Sequence, residues 1–486
     1  MTHISVGRYE GKIMAYSYTD ALNSILKTYF KDNVPPLLGR ESPLLKKIKT
    51  VRVEGKQVSY PAIYSAGGAV SPSHTVAKRI AESEDFNARE WAITPGREFS
   101  VTNFNAKEVQ QSLTKRGAYM KIAGTKVYTQ TARLRKRLAG DLYSRGFGEI
   151  ARIQESAGVT LTQNTSVAIN MPTSGIKRIQ PGAELVVKAS INSSTILATL
   201  HVDKIDVNTV YVTNTTATYA ASQGDVICAS GAMSGGNPTA PMGLAGWIPA
   251  ISKRASVADD PSSNWPAYVN TAFYGIQRDE NTEALCGAFV DGTSDSKYSE
   301  TIQKLMLKLR NAGSEADLIV MNPEDFLEFS KEVEASNTYF TATSTKAKRS
   351  ANVGFDKFSA SFSTNFIDLV WDDPFLEKGV VYILDTETVE FWTLTNVDPV
   401  TNDGVAENNP GNQDPMEFDN KGHENDPYKL LIDDYLSVVP GSGSDEGEST
   451  RVTINVFATL ALLNTAVNGV ALLKDYDVNV GLATAI

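Results

Sequence analysis

Short segments in which apolar and polar residues alternate recur along this chain and predict many β-strands. In residues 51–60, Val51, Val53, Val58 and Tyr60 alternate with polar residues, which is typical of a half-buried strand. WAITPGREFSVTNFN predicts the returning strand of a hairpin over residues 51–105. This hairpin has little apolar material of its own, and a long two-stranded projection is marginally stable alone in water. We therefore expect it to lie on another surface.

Three segments show helical spacing instead. Val109, Leu113, Val127, Leu134 and Leu138 fall on one stripe, which predicts a single long helix from about residue 107. We expect this helix to end at the glycine pair of residues 146 and 148. KYSETIQKLMLKLRNAG and PEDFLEFSKEVEAS predict two further helices.

The segments around these helices predict two kinds of sheet. Residues 159–251 contain GAELVVKASI, DVNTVYVTN and GDVICAS, separated by turn-forming residues, and predict a small β-rich unit. Around the two later helices, ADLIVMNP, FIDLVWDD, GVVYILD and TVEFWTL predict short buried strands of an α/β unit. The apolar run VTINVFATLALLNTAVNGVALL carries three asparagines, which a lone membrane-spanning helix would bury at high cost. It predicts a buried strand followed by a turn of helix.

Charge is distributed unevenly. The chain of 486 residues has a formal net charge of −10, which excludes a nucleic-acid binder that uses its whole surface. Residues 398–449 hold 13 acidic and 2 basic residues and predict a solvent-facing insertion. Residues 107–153 hold 11 basic and 3 acidic residues. This basic helix is either a solvated surface or a surface aimed at phosphates, which arginine and lysine neutralise without reading base sequence.

Sequence patterns of catalysis are missing. There is no phosphate-binding loop, no HExxH zinc motif and no GxSxG nucleophile motif. We expect no catalytic, cofactor or metal site. Asp372 and Asp373 could bind a cation, but a turn after a strand is the preferred interpretation. Cys228 and Cys286 are expected to be buried and not to form a disulfide framework. The first residues lack the apolar core of a signal peptide, which favours a cytoplasmic protein.

The order of these parts resembles the major capsid proteins of tailed double-stranded DNA bacteriophages, the Hong Kong ninety-seven fold. The residues that carry the resemblance are RGAYM, LAGDLYSRGFGEIARI, PMGLAGWI, WPAYVNT and DLIVMNPEDF, in this order over nearly the whole chain. The resemblance implies an α+β fold with the following parts: an N-arm (residues 1–50), an E-loop hairpin (51–105), the spine helix of the P-domain (106–155), a β-rich part of the P-domain (156–261), an A-domain (262–397), the acidic insertion (398–450) and a C-terminal strand returning to the core (451–486).

The resemblance also implies function. Many copies, as hexamers and pentamers, would form an icosahedral shell in the virion, assembled in the host cytoplasm without a membrane. The shell would enclose double-stranded DNA, and portal, scaffolding and auxiliary or head-fibre proteins would be partners. The implied DNA-facing residues of the basic helix are Lys126, Arg133, Arg135, Lys136, Arg137 and Arg145. The implied residues of the intersubunit hairpin are Lys56, Gln57, Tyr60, Lys78, Arg79, Arg89, Trp91 and Arg97.

Three features depart from the family pattern or are not settled by it. There is no long charged extension before the arm, the acidic insertion exceeds the family minimum, and covalent cross-linking between subunits stays open.

Three alternative functions remain. An encapsulin-like compartment shares this fold but encloses enzymes and needs no basic inner helix. An enzyme built on the α/β region lacks a recognisable set of catalytic residues. A β-rich adhesin is disfavoured by the long helix.

Overall fold

The computed structural model describes most of the chain. The described residues are 43–53, 57–65, 70–81, 87–105, 122–155, 157–191, 193–234, 237–250, 272–336, 360–362, 365–367, 369–394, 429–431, 449–474, 476–477 and 482–483. The predicted N-arm before residue 43 and most of the predicted acidic insertion lie outside them. So does the first part of the predicted long helix, residues 106–121.

Helices and strands both occur throughout the described residues. The helices are α1 (Pro43–Lys47), α2 (His74–Ala81), α3 (Ile122–Asp141), α4 (Thr173–Ile176), α5 (Leu244–Trp247), α6 (Thr282–Cys286), α7 (Tyr298–Asn311) and α8 (Pro323–Ser336). The strands of the first half are β1 (Lys49–Val53), β2 (Val58–Ser65), β3 (Asn87–Ile93), β4 (Gly96–Asn105), β5 (Glu149–Arg152), β6 (Val159–Leu161), β7 (Ser166–Asn170), β8 (Glu184–Lys188), β9 (Ala198–Ile205), β10 (Thr209–Asn214), β11 (Tyr219–Ala221), β12 (Val226–Ala229), β13 (Met233–Ser234) and β14 (Asn237–Pro238). The strands of the second half are β15 (Ala272–Phe273), β16 (Ile276–Gln277), β17 (Ala288–Asp291), β18 (Leu318–Met321), β19 (Ala360–Phe362), β20 (Asn365–Ile367), β21 (Leu369–Asp372), β22 (Val380–Leu384), β23 (Val389–Leu394), β24 (Lys429–Leu431), β25 (Ser449–Leu462), β26 (Gly469–Leu472), β27 (Tyr476–Asp477) and β28 (Leu482–Ala483). The expected α+β class is confirmed.

The described residues divide into two compact units. The smaller unit contains described residues of 100–132 and 430–454, which include the second half of β4, the first half of α3 and the first half of β25. The larger unit contains the other described residues and all of the contacts analysed below.

A six-stranded antiparallel sheet forms the β-rich part of the larger unit. Its strand order is β5-β12-β8-β9-β10-β7. Along β10 the buried positions alternate, with Val210 and Val212 inward, because successive side chains of a strand point to opposite faces. The inward residues form one core with Leu185, Leu200 and Ile227. Burial of one face fixes the register predicted from the alternation.

A five-stranded mixed sheet forms the α/β part, in the order β17-β26-β22-β18-β21. β26 is an inner strand of this sheet, parallel to β17 and antiparallel to β22, so the C-terminal segment returns to this core. Helix α7 buries Ile302, Leu305 and Leu309 against the sheet. Helix α8 begins at Pro323, where a missing N–H costs nothing.

The structure corrects two sequence-based boundaries. Helix α3 ends at Asp141, before the glycine pair, and a turn follows it. Gly146 and Gly148 have φ of 80° and 63° and form the bend that leads into β5, since a left-handed backbone favours glycine. The C-terminal apolar run forms two strands, β25 and β26, joined by a turn, and not a strand followed by helix. In the part of the chain that the structure describes, no helix has the length and apolarity needed to cross a membrane.

Candidate functional site: the hairpin and the basic helix

Within the region predicted as a hairpin, residues 51–105, β2 and β3 form a hairpin, whereas β1 pairs with β23. The base of this hairpin is held by the chain's own core. β2 and β3 pair antiparallel, with Tyr60 opposite Trp91. Trp91 is 2% exposed, and its ring centre lies 5.2 Å from that of Trp247 and 5.9 Å from that of Phe273. Edge-to-face contacts of this kind stabilise aromatic clusters. Trp91 is therefore a core residue, and the expectation that it faces a neighbouring subunit is corrected.

Tyr60 is also engaged within the chain. Its ring meets that of Trp392 edge-on at 5.9 Å, and its hydroxyl donates a hydrogen bond to the Leu462 carbonyl oxygen. Burial raises the pKa of Tyr60 well above its ordinary value, so the hydroxyl stays protonated. Tyr60 is half-buried, so these contacts in the adjoining sheet do not test its expected intersubunit role, which stays a prediction.

The described residues in the outer part of the hairpin are more exposed than those at its base. Ile63 is 59% exposed and Val70 is fully exposed. Helix α2 is strongly amphipathic in sequence, yet none of its residues is buried. An amphipathic helix normally buries its apolar face, and here Val76 and Ile80 of that face are only half-buried. The expected hairpin residues Lys78 and Arg79 are exposed on this helix.

The remaining hairpin residues lie nearer the base. Gln57, Arg89 and Arg97 are exposed. The backbone N–H of Arg97 donates to the Thr239 carbonyl oxygen at 2.8 Å, which fastens the start of β4. Lys56 lies outside the described residues.

The basic helix does not present all of its charges on one face. Arg133 is exposed, whereas Arg135 and Lys136 are half-buried. Arg145 is 6% exposed and lies beyond the helix end. The side chain of Lys126 lies outside the described residues. Arg145 is therefore withdrawn from the expected DNA-facing set, because a long side chain in the turn after α3 points into the protein.

Arg137 is likewise internal. Its Nε lies 3.5 Å from a carboxylate oxygen of Glu98 and 3.5 Å from one of Asp141, and the Asp141 side chain is 1% exposed. Burial alone lowers the pKa of Arg137, but these two carboxylates outweigh it, and the pKa lies above its ordinary value. Arg137 stays charged as part of a buried ion cluster, and the expectation that it faces DNA is corrected.

We expect Arg137→Glu to destabilise the subunit by about 3–5 kcal/mol, because it places a third carboxylate beside the buried Asp141 and the half-buried Glu98. The matched variant Arg133→Glu, one turn earlier and exposed, should change stability by no more than about 0.5 kcal/mol. Chemical unfolding of unassembled subunits measures both. Equal losses for the two variants would contradict the buried position of Arg137.

Sequence reasoning missed the acidic partners of this cluster. Glu98 lies in β4, far from the helix in sequence, and nothing in the sequence indicated that it would contact Arg137. Asp141 follows Arg137 by four residues, which is the spacing of neighbours on a helix face and was a usable signal. Counting charges along the helix treated Asp141 as a lone acid when it neutralises one of the arginines.

Two smaller expectations concern chemistry. Asp373 is buried in the expected turn, where it accepts hydrogen bonds from the Phe375 N–H at 3.0 Å and the Tyr143 hydroxyl at 2.8 Å. The turn interpretation of Asp372 and Asp373 is confirmed.

Among the described residues, no group of three or more His, Cys, Asp or Glu side chains is placed to hold a metal ion. Cys228 and Cys286 are both buried and free, as expected for small apolar residues.

The chain is similar to several solved capsid and shell structures. The capsid of cyanophage A-1(L) matches with a TM-score of 0.49 and 10% identity, over 93% of this chain and 97% of the other. The capsid of a native GTA particle matches with a TM-score of 0.43 and 10% identity, over 97% and 100%. The holo-SrpI encapsulin complex of Synechococcus elongatus PCC 7942 matches with a TM-score of 0.40 and 9% identity, over 95% of each chain.

No family model matches the chain, and no curated protein matches it. At TM-scores below 0.5 and identities near 10%, these likenesses assign no function to this chain.

Proposed function

We propose that this chain is the major capsid protein of a tailed double-stranded DNA bacteriophage, built on the Hong Kong ninety-seven fold. It self-assembles as hexamers and pentamers into an icosahedral shell. The observation that carries the proposal is the outer part of the hairpin, where Ile63 and Val70 are exposed and no residue of α2 is fully buried. The tip needs a surface from another molecule, and identical copies supply one in a closed shell.

The difference between the buried base of the hairpin and its exposed outer residues supports this proposal. The base is fixed by Trp91 in an aromatic core, so the hairpin leaves the subunit in a defined direction. A rigid base and an unsupported tip suit an element that reaches across a neighbour, because little conformational entropy remains to be lost when the tip docks.

Electron microscopy of the purified full-length chain tests the proposal. Closed icosahedral particles are expected. A stable monomer that never forms particles, at concentrations where capsid proteins assemble, would contradict it. Portal, scaffolding and auxiliary proteins are proposed partners and would appear as additional bands in purified virions.

The shell is proposed to hold DNA against Arg133, which is exposed, and against Arg135 and Lys136, which are half-buried. Two of the six expected DNA-facing residues are internal, so the basic surface is smaller than the sequence suggested. This specific observation keeps an encapsulin-like compartment as the second candidate function. The contents of purified particles separate the two: nuclease-protected double-stranded DNA or enclosed protein.

We expect Arg133→Glu combined with Lys136→Glu to leave shells intact and to lower the amount of retained DNA several-fold, because phosphate attraction turns into repulsion. Lys204→Glu combined with Lys297→Glu is the matched control, since both lysines are exposed and lie on other elements. Nuclease-protected DNA per particle is the measurement. Equal DNA content in both variants would contradict the proposal that α3 lies on the inner surface of the shell.

A further inference from the structure

Strand β7 forms one edge of the six-stranded sheet, with β10 on its inner side. In an antiparallel pair, the backbone groups of successive residues point alternately toward the partner strand and away from it. The Met171 N–H donates to the residue that precedes β10 at 3.2 Å, whereas the Asn170 N–H donates to the Glu155 carboxylate at 2.8 Å. By this alternation, the N–H and C=O groups of Ser166 and Ala168 point away from the sheet, as does the C=O of Asn170.

Other edge strands of the larger unit have a basic side chain bonded to a backbone carbonyl. Arg178 donates to the Glu149 carbonyl oxygen of β5 at 3.2 Å, and Lys308 donates to the Phe289 carbonyl oxygen of β17 at 2.8 Å. Proteins commonly protect sheet edges in this way, because an unpaired edge is a template for another strand. Apart from the carboxylate at its last residue, no group of the described residues hydrogen-bonds to the outward backbone of β7. The surrounding segment, residues 156–176, holds no charge, in a chain of which 21% of residues are charged.

The sequence of β7, SVAIN, is nearly symmetrical about its middle residue, Ala168. On either side of it, Val167 and Ile169 are apolar and β-branched, and Ser166 and Asn170 are small and polar. The strand also lacks the lysine or proline that blocks pairing at many sheet edges. A second copy of β7, turned about a two-fold axis through Ala168, therefore places apolar residues opposite apolar ones and polar residues opposite polar ones. No like charges meet in this arrangement.

We propose that β7 is a contact between two copies of this chain, which pair antiparallel with Ala168 on a two-fold axis. The Ala168 N–H of each copy donates to the Ala168 carbonyl oxygen of the other, and the Ser166 N–H of each donates to the Asn170 carbonyl oxygen of the other. The Asn170 N–H keeps its bond to Glu155. These bonds join the two six-stranded sheets into one continuous sheet through an isologous contact, which uses the same surface on both copies.

The proposed β7 contact rests on the proposed function, since an icosahedral shell supplies two-fold axes between its copies. It adds a surface that neither the hairpin nor the basic helix provides. A foreign strand could also pair with this edge, but it would not bring two Ala168 residues together. The distance between the two copies of this residue is therefore the quantity to test.

The Ala168→Cys variant tests that distance. In a hydrogen-bonded antiparallel pair the two Cα atoms lie about 5.5 Å apart, which is within the range of a disulfide. Mild oxidation of the full-length variant, as particles and as concentrated unassembled chain, should give linked dimers on a non-reducing gel. Cys228 and Cys286 are buried and should add no background. The matched control is Ala220→Cys, an exposed alanine of β11, which should stay unlinked.

The gel and electron microscopy together separate this contact from the proposed function. Particles without linked dimers from Ala168→Cys, or equal linking by Ala220→Cys, would overturn the β7 contact and leave the capsid proposal standing. Linked dimers from a chain that never forms particles would support the contact and contradict the capsid proposal. The absence of both would overturn both.

A charge at the same position gives a second measurement. Ala168→Lys places two like charges directly opposite each other across the two-fold axis, which destabilises a strand pair. We expect association, measured by sedimentation, to fall several-fold while thermal unfolding of the subunit stays as in the wild type, because Ala168 is exposed. Ala220→Lys, which also adds a charge at an exposed alanine, should associate as the wild type does. Undiminished association of Ala168→Lys would refute the contact.

Discussion

Replacing Ile63 and Val70 together by aspartate is expected to abolish shell assembly while the subunit stays folded. Both side chains are exposed in the subunit, at 59% and 105%, so the change should alter its stability by no more than about 0.5 kcal/mol. At a contact between subunits, each aspartate would be buried without a partner, which costs several kcal/mol. A loss of 1.4 kcal/mol per contact already lowers association about tenfold, so particles should be absent at normal concentrations.

The matched control is Ile196→Asp with Val207→Asp. These residues are also exposed, at 54% and 79%, and lie in the β-rich part of the unit. Particle yield by sedimentation and microscopy, together with the thermal unfolding of each subunit, gives the comparison. Normal shells from the hairpin variant would refute the bridging role, and equal loss in both variants would show that the hairpin has no special part in assembly.

Trp247→Ala is expected to lower the stability of the subunit itself strongly. The Trp247 side chain is fully buried, packs against Trp91 and Phe273, and donates from Nε1 to the Leu460 carbonyl oxygen at 2.7 Å. Truncation of such a side chain costs about 3–5 kcal/mol. Because Trp91 belongs to the same cluster, the hairpin base should loosen as well, and assembly should fall with stability.

Trp247→Phe separates ring packing from the hydrogen bond. It keeps most of the apolar contact and loses Nε1, so the loss of stability should be clearly smaller than for alanine. Chemical unfolding of unassembled subunits measures both variants. A loss below about 1 kcal/mol for Trp247→Ala would mean that the aromatic cluster does not hold the hairpin base.

The sequence was most informative where structure depends on local pattern. Alternation in DVNTVYVTN and GDVICAS located β10 and β12, and helical spacing located α7 and α8. The alternation of a strand and the spacing of a helix follow from backbone geometry, which is the same wherever the segment lies in the fold. The pairing of β2 with β3 was also predicted from the pattern, and the need for another surface under the hairpin stays a prediction.

The candidate site was only partly predictable, because burial of a long side chain depends on residues far away in the sequence. Arg278 shows this well: it is fully buried, its guanidinium lies 4.1 Å from the Phe273 ring, and it donates to two backbone carbonyls of α5. Nothing around Arg278 in the sequence marks it as internal.

By itself the sequence determined the type and place of most helices and strands, since these follow from the spacing of apolar residues, and it predicts a surface under the hairpin tip. Only the tertiary structure decided which charges face solvent. In the folded chain, Arg137 lies beside the carboxylates of Glu98 and Asp141, and Arg145 lines a cavity. The physical reason is that a buried charge needs partners that satisfy it, and those partners come together only when distant segments fold against each other.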